Sequence, residues 1–219
     1  MILHDYPNTK VITSLINNIN VHYKDDFINR KKAKRYYKAF EENIIYNSPE
    51  ESKVRVYGKE YYIARKQVGY GDPGTYYKFA GTTVKAKSWN GDDLVSIILN
   101  KIRKKVELFT GKKFNFCLIN RYANGDDKIG AHRDDEVELG KDPTIVGVSF
   151  GVEREVCFAP YKFIPKDFPN RVKLMLGHGS IFVMHPPTNE YWTHEIPSRK
   201  SIKSPRISLT FRQLYIKKN

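Results

Sequence analysis

The chain has 219 residues, 40% of them hydrophobic, which suits one substantial core and excludes a disordered chain. A formal net charge of +14 points to a polyanionic partner, nucleic acid before an anionic membrane surface, the plainer reading being a solvated basic exterior. Two cysteines, no run of about 18 apolar residues and no basic-then-apolar leader in residues 1–10 exclude a disulfide-stapled scaffold, a Cys-rich zinc site, a spanning helix and a secretory signal. The expectation is a soluble, intracellular, monomeric protein of one domain, nucleus or cytoplasm left open.

In chain order, the first fifty residues hold no motif. Asp25 and Asp26 precede a helical pattern through Phe27, Arg30, Lys34, Tyr37 and Ile44, so they are expected to cap a helix. Its polar face, Lys31, Lys32, Lys34, Arg35 and Lys38, is either solvated or laid along backbone phosphates. Val54 to Lys59 and Tyr61 to Ala64 read as two short strands around a glycine-containing turn. The stretch from Gly69 to Gly81, rich in Gly, Tyr and Pro, reads as a loop. Asp92 and Asp93 then precede Leu94, Ile97, Ile98, Ile102, Val106 and Phe109 at helical spacing, and Gly111 closes the run. With Lys101, Arg103, Lys104 and Lys105 facing outward, this is a helix lying on the outside of a sheet.

Beyond it, residues 114–122, 144–150, 155–159, 172–176, 180–184 and 207–211 are short β-branched and aromatic runs separated by Gly, Pro or charged turns. Many strands without alternating helices predict a mainly β sandwich or jelly roll with flanking helices. Cys117 and Cys157 fall inside such runs and are expected as buried neutral thiols.

Chemistry enters at His132-Arg133-Asp134. Side chains two apart on an extended segment point the same way, so His132 and Asp134 can converge on one ion. A third ligand must come from His178, His185 or His194. Two histidines and one carboxylate form the facial triad of non-haem Fe(II) oxygenases, although a lone H-x-D also occurs as a plain surface pair. Zinc hydrolases use the same residue types, but no H-E-x-x-H is present. Arg206 and Arg212 share one face of a strand, with Ile207, Leu209 and Phe211 on the other. Two same-face guanidinium groups on an interior strand need an anion, either a dicarboxylate co-substrate or an internal Asp or Glu.

The blocks Ala64-Arg65-Lys66-Gln67, Tyr70-Gly71-Asp72, Phe114-Asn115-Phe116, Ile119-Asn120-Arg121-Tyr122, Ile129 to Glu136, Val148-Ser149-Phe150-Gly151, His178-Gly179-Ser180, Pro187-Thr188-Asn189, His194 and Pro205 to Arg212 follow one another in a familiar order. On them the chain resembles the AlkB-type nucleic-acid dioxygenases, and among these the human-type branch that repairs double-stranded DNA. The resemblance implies a double-stranded β-helix, with residues up to about 90 as an N-terminal extension and nucleotide-recognition lid and residues from about 91 as helix plus catalytic core. It implies Fe(II), 2-oxoglutarate and O2, with His132, Asp134 and His194 on the iron. Arg206 and Tyr122 would meet the distal carboxylate of 2-oxoglutarate, and Arg212 and Asn120 its chelating end. The implied reaction hydroxylates the alkyl carbon of N1-methyladenine or N3-methylcytosine and releases formaldehyde and succinate.

The same resemblance places the flipped base between Phe79 and His132, with Tyr77 beside it and Asp135 accepting from its exocyclic amine. Asp135 and Glu136, which follow the ligand motif, are expected to be catalytic, the plainer reading of Glu136 being support of nearby arginines. Tyr57 and Gly58 would form a wedge hairpin, and Arg65, Lys66, Arg199 and Lys200 would contact DNA. Two departures bear on strand and lesion preference. Ala80 stands where a hydroxyl residue is expected, and Arg199-Lys200-Ser201 has two basic residues where three are expected, with Lys203 nearby. The alternatives are the same chemistry on RNA or single strands, a catalytically silent nucleic-acid-binding module, and a protein hydroxylase, which the charge and the aromatic lid discourage.

Overall fold

A computed structural model of the chain describes residues 9–14, 17–56, 58–162 and 170–215. Two sheets face each other. The larger has the order β1 (Thr9–Ser14), β2 (Ile19–Lys24), β13 (Ile181–Met184), β10 (Ile145–Gly151), β15 (Arg206–Arg212), β8 (Phe116–Tyr122), β5 (Lys66–Gly71), β7 (Thr82–Ser88) and β6 (Tyr76–Phe79). The smaller has the order β12 (Val172–Leu176), β11 (Arg154–Pro160), β14 (Trp192–Ile196) and β9 (Ile129–His132). Strands β8 to β15 thus pass between the sheets as a jelly roll, with β11 and β12 side by side in the smaller one, and the N-terminal strands extend both edges of the larger one. A separate hairpin pairs β3 (Lys53–Val56) with β4 (Lys59–Tyr62).

Strand periodicity divides the core in two. Ile207, Leu209 and Phe211 of β15 point outward with Val146, Val148 and Phe150 of β10. Onto them pack α1 (Arg30–Asn43) and α2 (Leu94–Thr110) through Phe40, Leu99, Ile102, Val106 and Phe109. Burying each such side chain stabilises the fold by about 1.5–3 kcal/mol. Leu118, Phe182 and Met184 point the other way, into the space between the sheets, against Val156, Phe158, Leu176 and Trp192. The alternate residues of β15, Arg206, Ser208, Thr210 and Arg212, therefore also face that space.

The second helix matches its sequence reading. Asp93 caps it by accepting from Ser96 N at 3.0 Å, and Gly111 ends it at φ 67°, a left-handed conformation that glycine adopts without penalty. Leu94 and Ile97 lie outside the buried stripe, and Arg103 is folded over the Trp89 ring at 4.4 Å instead of facing solvent. Three other readings need correction. The first helix is capped by Asn29, whose Oδ1 accepts from Lys32 N at 2.9 Å, because the chain at Asp26 turns through a positive φ before the helix starts. Residues 69–81 are mostly sheet: β5 adds to β8, and β6 folds on β7. Turn-forming residues suggested a loop, yet Gly69 and Gly71 lie where Phe116 and the Asn115 carbonyl leave no room for a Cβ. Strands β9 and β14 were not anticipated because their metal-site residues break the apolar alternation. Cys117 and Cys157 are free and buried, and burial raises both thiol pKa values.

Candidate active site

His132 ends β9 and His194 lies in β14, and the two are paired across the smaller sheet. Their rings are 4.3 Å apart between centroids. Asp134 enters from the segment after β9, with His132 Nε2 at 3.9 Å from its Oδ1. Ligand atoms of the three residues lie within 4.8 Å of one another, a spacing able to hold one metal ion. Of the three candidates for a third ligand, only His194 joins. His178 accepts from Gly151 N at 2.9 Å in a turn before β13, and His185 stacks edge-on with His22 at 4.8 Å.

The ligand atoms are aimed by their neighbours. His132 Nδ1 sits 2.8 Å from the Gly130 carbonyl, which can only accept, so Nδ1 holds the proton and Nε2 offers its lone pair. Asn189 clamps the Asp134 backbone from both sides, its Oδ1 accepting from Asp134 N at 2.9 Å and its Nδ2 donating to Asp134 O at 2.6 Å. Burial alone would raise the Asp134 carboxyl, but Arg212, His194 and His132 outweigh it and hold the carboxyl down at about 2. Burial, reinforced by His132, pushes His194 down to about 3, so its imidazole is neutral and ready to ligate. These residues suit a ferrous ion: two imidazoles and one carboxylate, with the His194 Nδ1 unpartnered.

The two arginines of β15 have different surroundings. Arg212 Nη2 donates to both oxygens of Asp134, at 3.0 and 3.1 Å, leaving Nε and Nη1 without partners. The internal carboxylate weighed as a partner for this strand is therefore present, at this arginine. Arg206 is 1% exposed and meets only hydroxyls, with Nη2 donating to Ser149 Oγ at 2.9 Å and to Ser208 Oγ at 3.4 Å. Its Nε and Nη1 have no partner, and the Tyr122 ring lies 5.3 Å away. Burial lowers its guanidinium to about 10. A fully buried fork with two spare donors fits a carboxylate brought in from outside. Asn120, Tyr122, His132, His194, Arg206 and Arg212 all line one cavity between the sheets.

At the mouth, Tyr77 is buried and its hydroxyl donates to Glu136 at 2.6 Å. Burial raises both groups, so this tyrosine stays protonated. Phe79 lies at 5.5 Å from Tyr77, tilted by 33°, and is half-buried. Ala80 follows at φ 44° and closes the β6–β7 turn, its carbonyl accepting from Arg55 N of the β3–β4 hairpin at 2.7 Å. Asp135 is exposed and holds Arg133 at 2.7 Å, and Glu136 accepts from Tyr77 while its charge also favours the Arg212 guanidinium. Arg65 is turned inward, donating to Asn120 Oδ1 at 2.8 Å, while Lys66 and Lys200 are exposed and Arg199 pairs with Glu155. Gly58 is exposed at φ 77° on the hairpin turn, and Tyr57 lies outside the described residues. A larger cleft of about 560 Å³ runs beside Arg65 and the base of the hairpin, and none of the three candidate metal ligands lines it.

Sequence reasoning gave no role to Asn189, Ser149 and Ser208. Asn189 stands in a quoted block, and Ser208 is legible as a neighbour of Arg206 on the same strand face. Ser149 also stands in a quoted block, but it comes from another strand, so nothing local marks it as a partner of Arg206.

Residues 20–212 match the model of the 2OG-Fe(II) oxygenase superfamily. The chain is 40% identical over 189 residues to the bovine DNA oxidative demethylase ALKBH2, covering 84% of this chain and 66% of the relative. To the human protein of the same name it is 40% identical over 193 residues, covering 86% and 71%. The chain thus spans about two thirds of these relatives' lengths. A solved oxidoreductase of the 2OG-Fe(II) oxygenase family from Burkholderia pseudomallei superposes with a TM-score of 0.55 at 14% identity, over 88% of this chain and 84% of that one, a likeness of fold. Among the described residues, no helix is long and apolar enough to cross a membrane.

Proposed function

The chain belongs to the 2OG-Fe(II) oxygenase superfamily, and from that premise we propose that it oxidatively removes alkyl groups from bases in DNA, duplex DNA before single strands. The observation that supports this most is the pairing of a His132–Asp134–His194 cluster with a buried Arg206 fork lacking any carboxylate. His132, Asp134 and His194 would hold Fe(II). Arg206 and Tyr122 hold the distal carboxylate of 2-oxoglutarate, and the spare donors of Arg212 with Asn120 face its other end. Bound together with O2, the ion and co-substrate supply an oxidant able to hydroxylate an unactivated C–H bond.

The protein's part is binding and orientation. Arg212 keeps Asp134 ionised and Asn189 fixes its backbone, so the carboxylate is in place before the metal arrives. Phe79 stacks on the flipped base, and Tyr77, locked by Glu136, fixes its edge. Asp135, one hydrogen bond from Arg133, favours the cationic methylated ring. Flipping is least costly for a lesion that already blocks pairing, as methylation at adenine N1 or cytosine N3 does. The β3–β4 hairpin with Tyr57 fills the gap, and Lys66, Arg199 and Lys200 grip the backbone. Once hydroxylated, the alkyl carbon leaves as formaldehyde and the base is restored.

The test uses N1-methyladenine oligonucleotides, single- and double-stranded, with Fe(II) and 2-oxoglutarate. Formaldehyde is expected from both, more from duplex. Tyr57→Ala is expected to spare single strands and lose duplex activity, and equal loss on both counts against duplex preference. The names of relatives that act on DNA favour DNA over RNA, and methylated RNA of the same sequence is the control.

A further inference from the structure

We infer that Arg154 is a positioning residue that couples the 2-oxoglutarate seat to the basic loop at residues 197–203, an inference that rests on the function proposed above. Arg154 opens β11 and is 1% exposed. Its hydrogen bonds go to backbone carbonyls: Nη1 to Asn124 O at 3.0 Å, and Nη2 to Asp127 O at 2.9 Å and Pro197 O at 2.8 Å. A buried guanidinium is costly, and carbonyls compensate it less than a carboxylate would. Such a fork serves to hold separate pieces of chain in one geometry.

Those pieces all lead to the site. Asn124 and Asp127 lie in the loop that runs from Tyr122 to β9 and His132, and Pro197 follows directly on β14 and His194. The Arg154 guanidinium lies 5.6 Å from the Tyr122 ring and that of Arg206 lies 5.3 Å from it, so both cations meet the same ring. The two loops are also stitched to each other. Arg199 N donates to Gly125 O at 2.6 Å and Gly125 N to Ile202 O at 2.8 Å. Any Cβ at Gly125 would meet the Arg199 carbonyl at 1.7 Å, so only glycine permits this approach. The backbone of Arg199, the first cation of the basic loop, is thereby tied to the loop that follows Tyr122. Arg154 touches neither co-substrate nor DNA and acts through both loops.

The test compares wild type, Arg154→Met, Arg154→Lys and Gly125→Ala by three readouts. The first is the rise in melting temperature on adding 2-oxoglutarate with Mn(II), which holds the site without turnover. The second is amide hydrogen exchange in residues 123–128 and 197–203, and the third is the ratio of duplex to single-strand activity. Arg154→Met is expected to bind 2-oxoglutarate about tenfold more weakly, as Tyr122 loses its support, to exchange faster in both loops and to lose duplex preference. Arg154→Lys, which keeps the charge without the fork, is expected to fall between. Gly125→Ala is expected to lose duplex preference while binding 2-oxoglutarate as wild type does. If Arg154→Met fails to fold, Arg154→Lys and Gly125→Ala decide. Variants that match wild type in co-substrate binding and strand ratio overturn the role of Arg154. A wild-type protein that answers neither 2-oxoglutarate nor methylated DNA overturns the proposed function instead.

Discussion

The space between the sheets and the two N-terminal hairpins divide the site into halves built on different principles. His132, His194, Arg206 and Arg212 stand on strands of the jelly roll, and paired neighbours or clamping side chains fix them. The hairpins β3–β4 and β6–β7 are short, lie outside that barrel, and touch each other through the Arg55–Ala80 hydrogen bond. Groups that must meet one ion within tenths of an ångström sit on rigid elements, and groups that must admit a bulky duplex sit on thin ones.

That contrast is sharpest at Asp134. Asp134→Asn keeps the shape and an acceptor for Arg212, yet is expected to lower formaldehyde release by about a thousandfold or more while the protein stays folded, checked by assay beside a melting curve. Arg206→Met comes next. It removes a buried charge that no carboxylate neutralises, so 2-oxoglutarate KM is expected to rise by about a hundredfold with the melting temperature of the ligand-free protein equal or higher. A large drop in that temperature would mean that an internal anion already satisfies the fork. Asn189→Ala leaves every ligand in place but frees the Asp134 backbone, and metal titration is expected to show about 10–100-fold weaker binding.

Phe79→Ala tests the other half. Losing a stacked base costs about 1–3 kcal/mol, so KM for methylated DNA is expected to rise while that for 2-oxoglutarate holds still. A parallel rise in both would erase the division. The smallest effect is on stability against pH. Burial pushes His194 down to about 3 and His185 to about 4 in the folded protein, below the ordinary histidine value near 6.5. Between those values the unfolded chain binds more protons than the folded one. The stability contributed is therefore full above about 6.5 and declines as pH falls toward 4, visible as a falling melting temperature of the metal-free protein.

The amino-acid sequence by itself determined the strands with clean alternation, the capped helix at Leu94–Thr110, the H-x-D pair and the two same-face arginines, because each is written in local spacing. The order of the quoted blocks added the family. Spacing alone left His178, His185 and His194 open and the resemblance implied His194; the tertiary structure decided that His194 meets His132, since β14 pairs with β9 across 62 residues of chain. It also decided that Arg212 holds Asp134 while Arg206 stays open, and that Arg65 turns inward to Asn120. Two guanidinium groups six residues apart are alike on a strand, and what distinguishes them arrives from other strands: a carboxylate beside one and two hydroxyls beside the other.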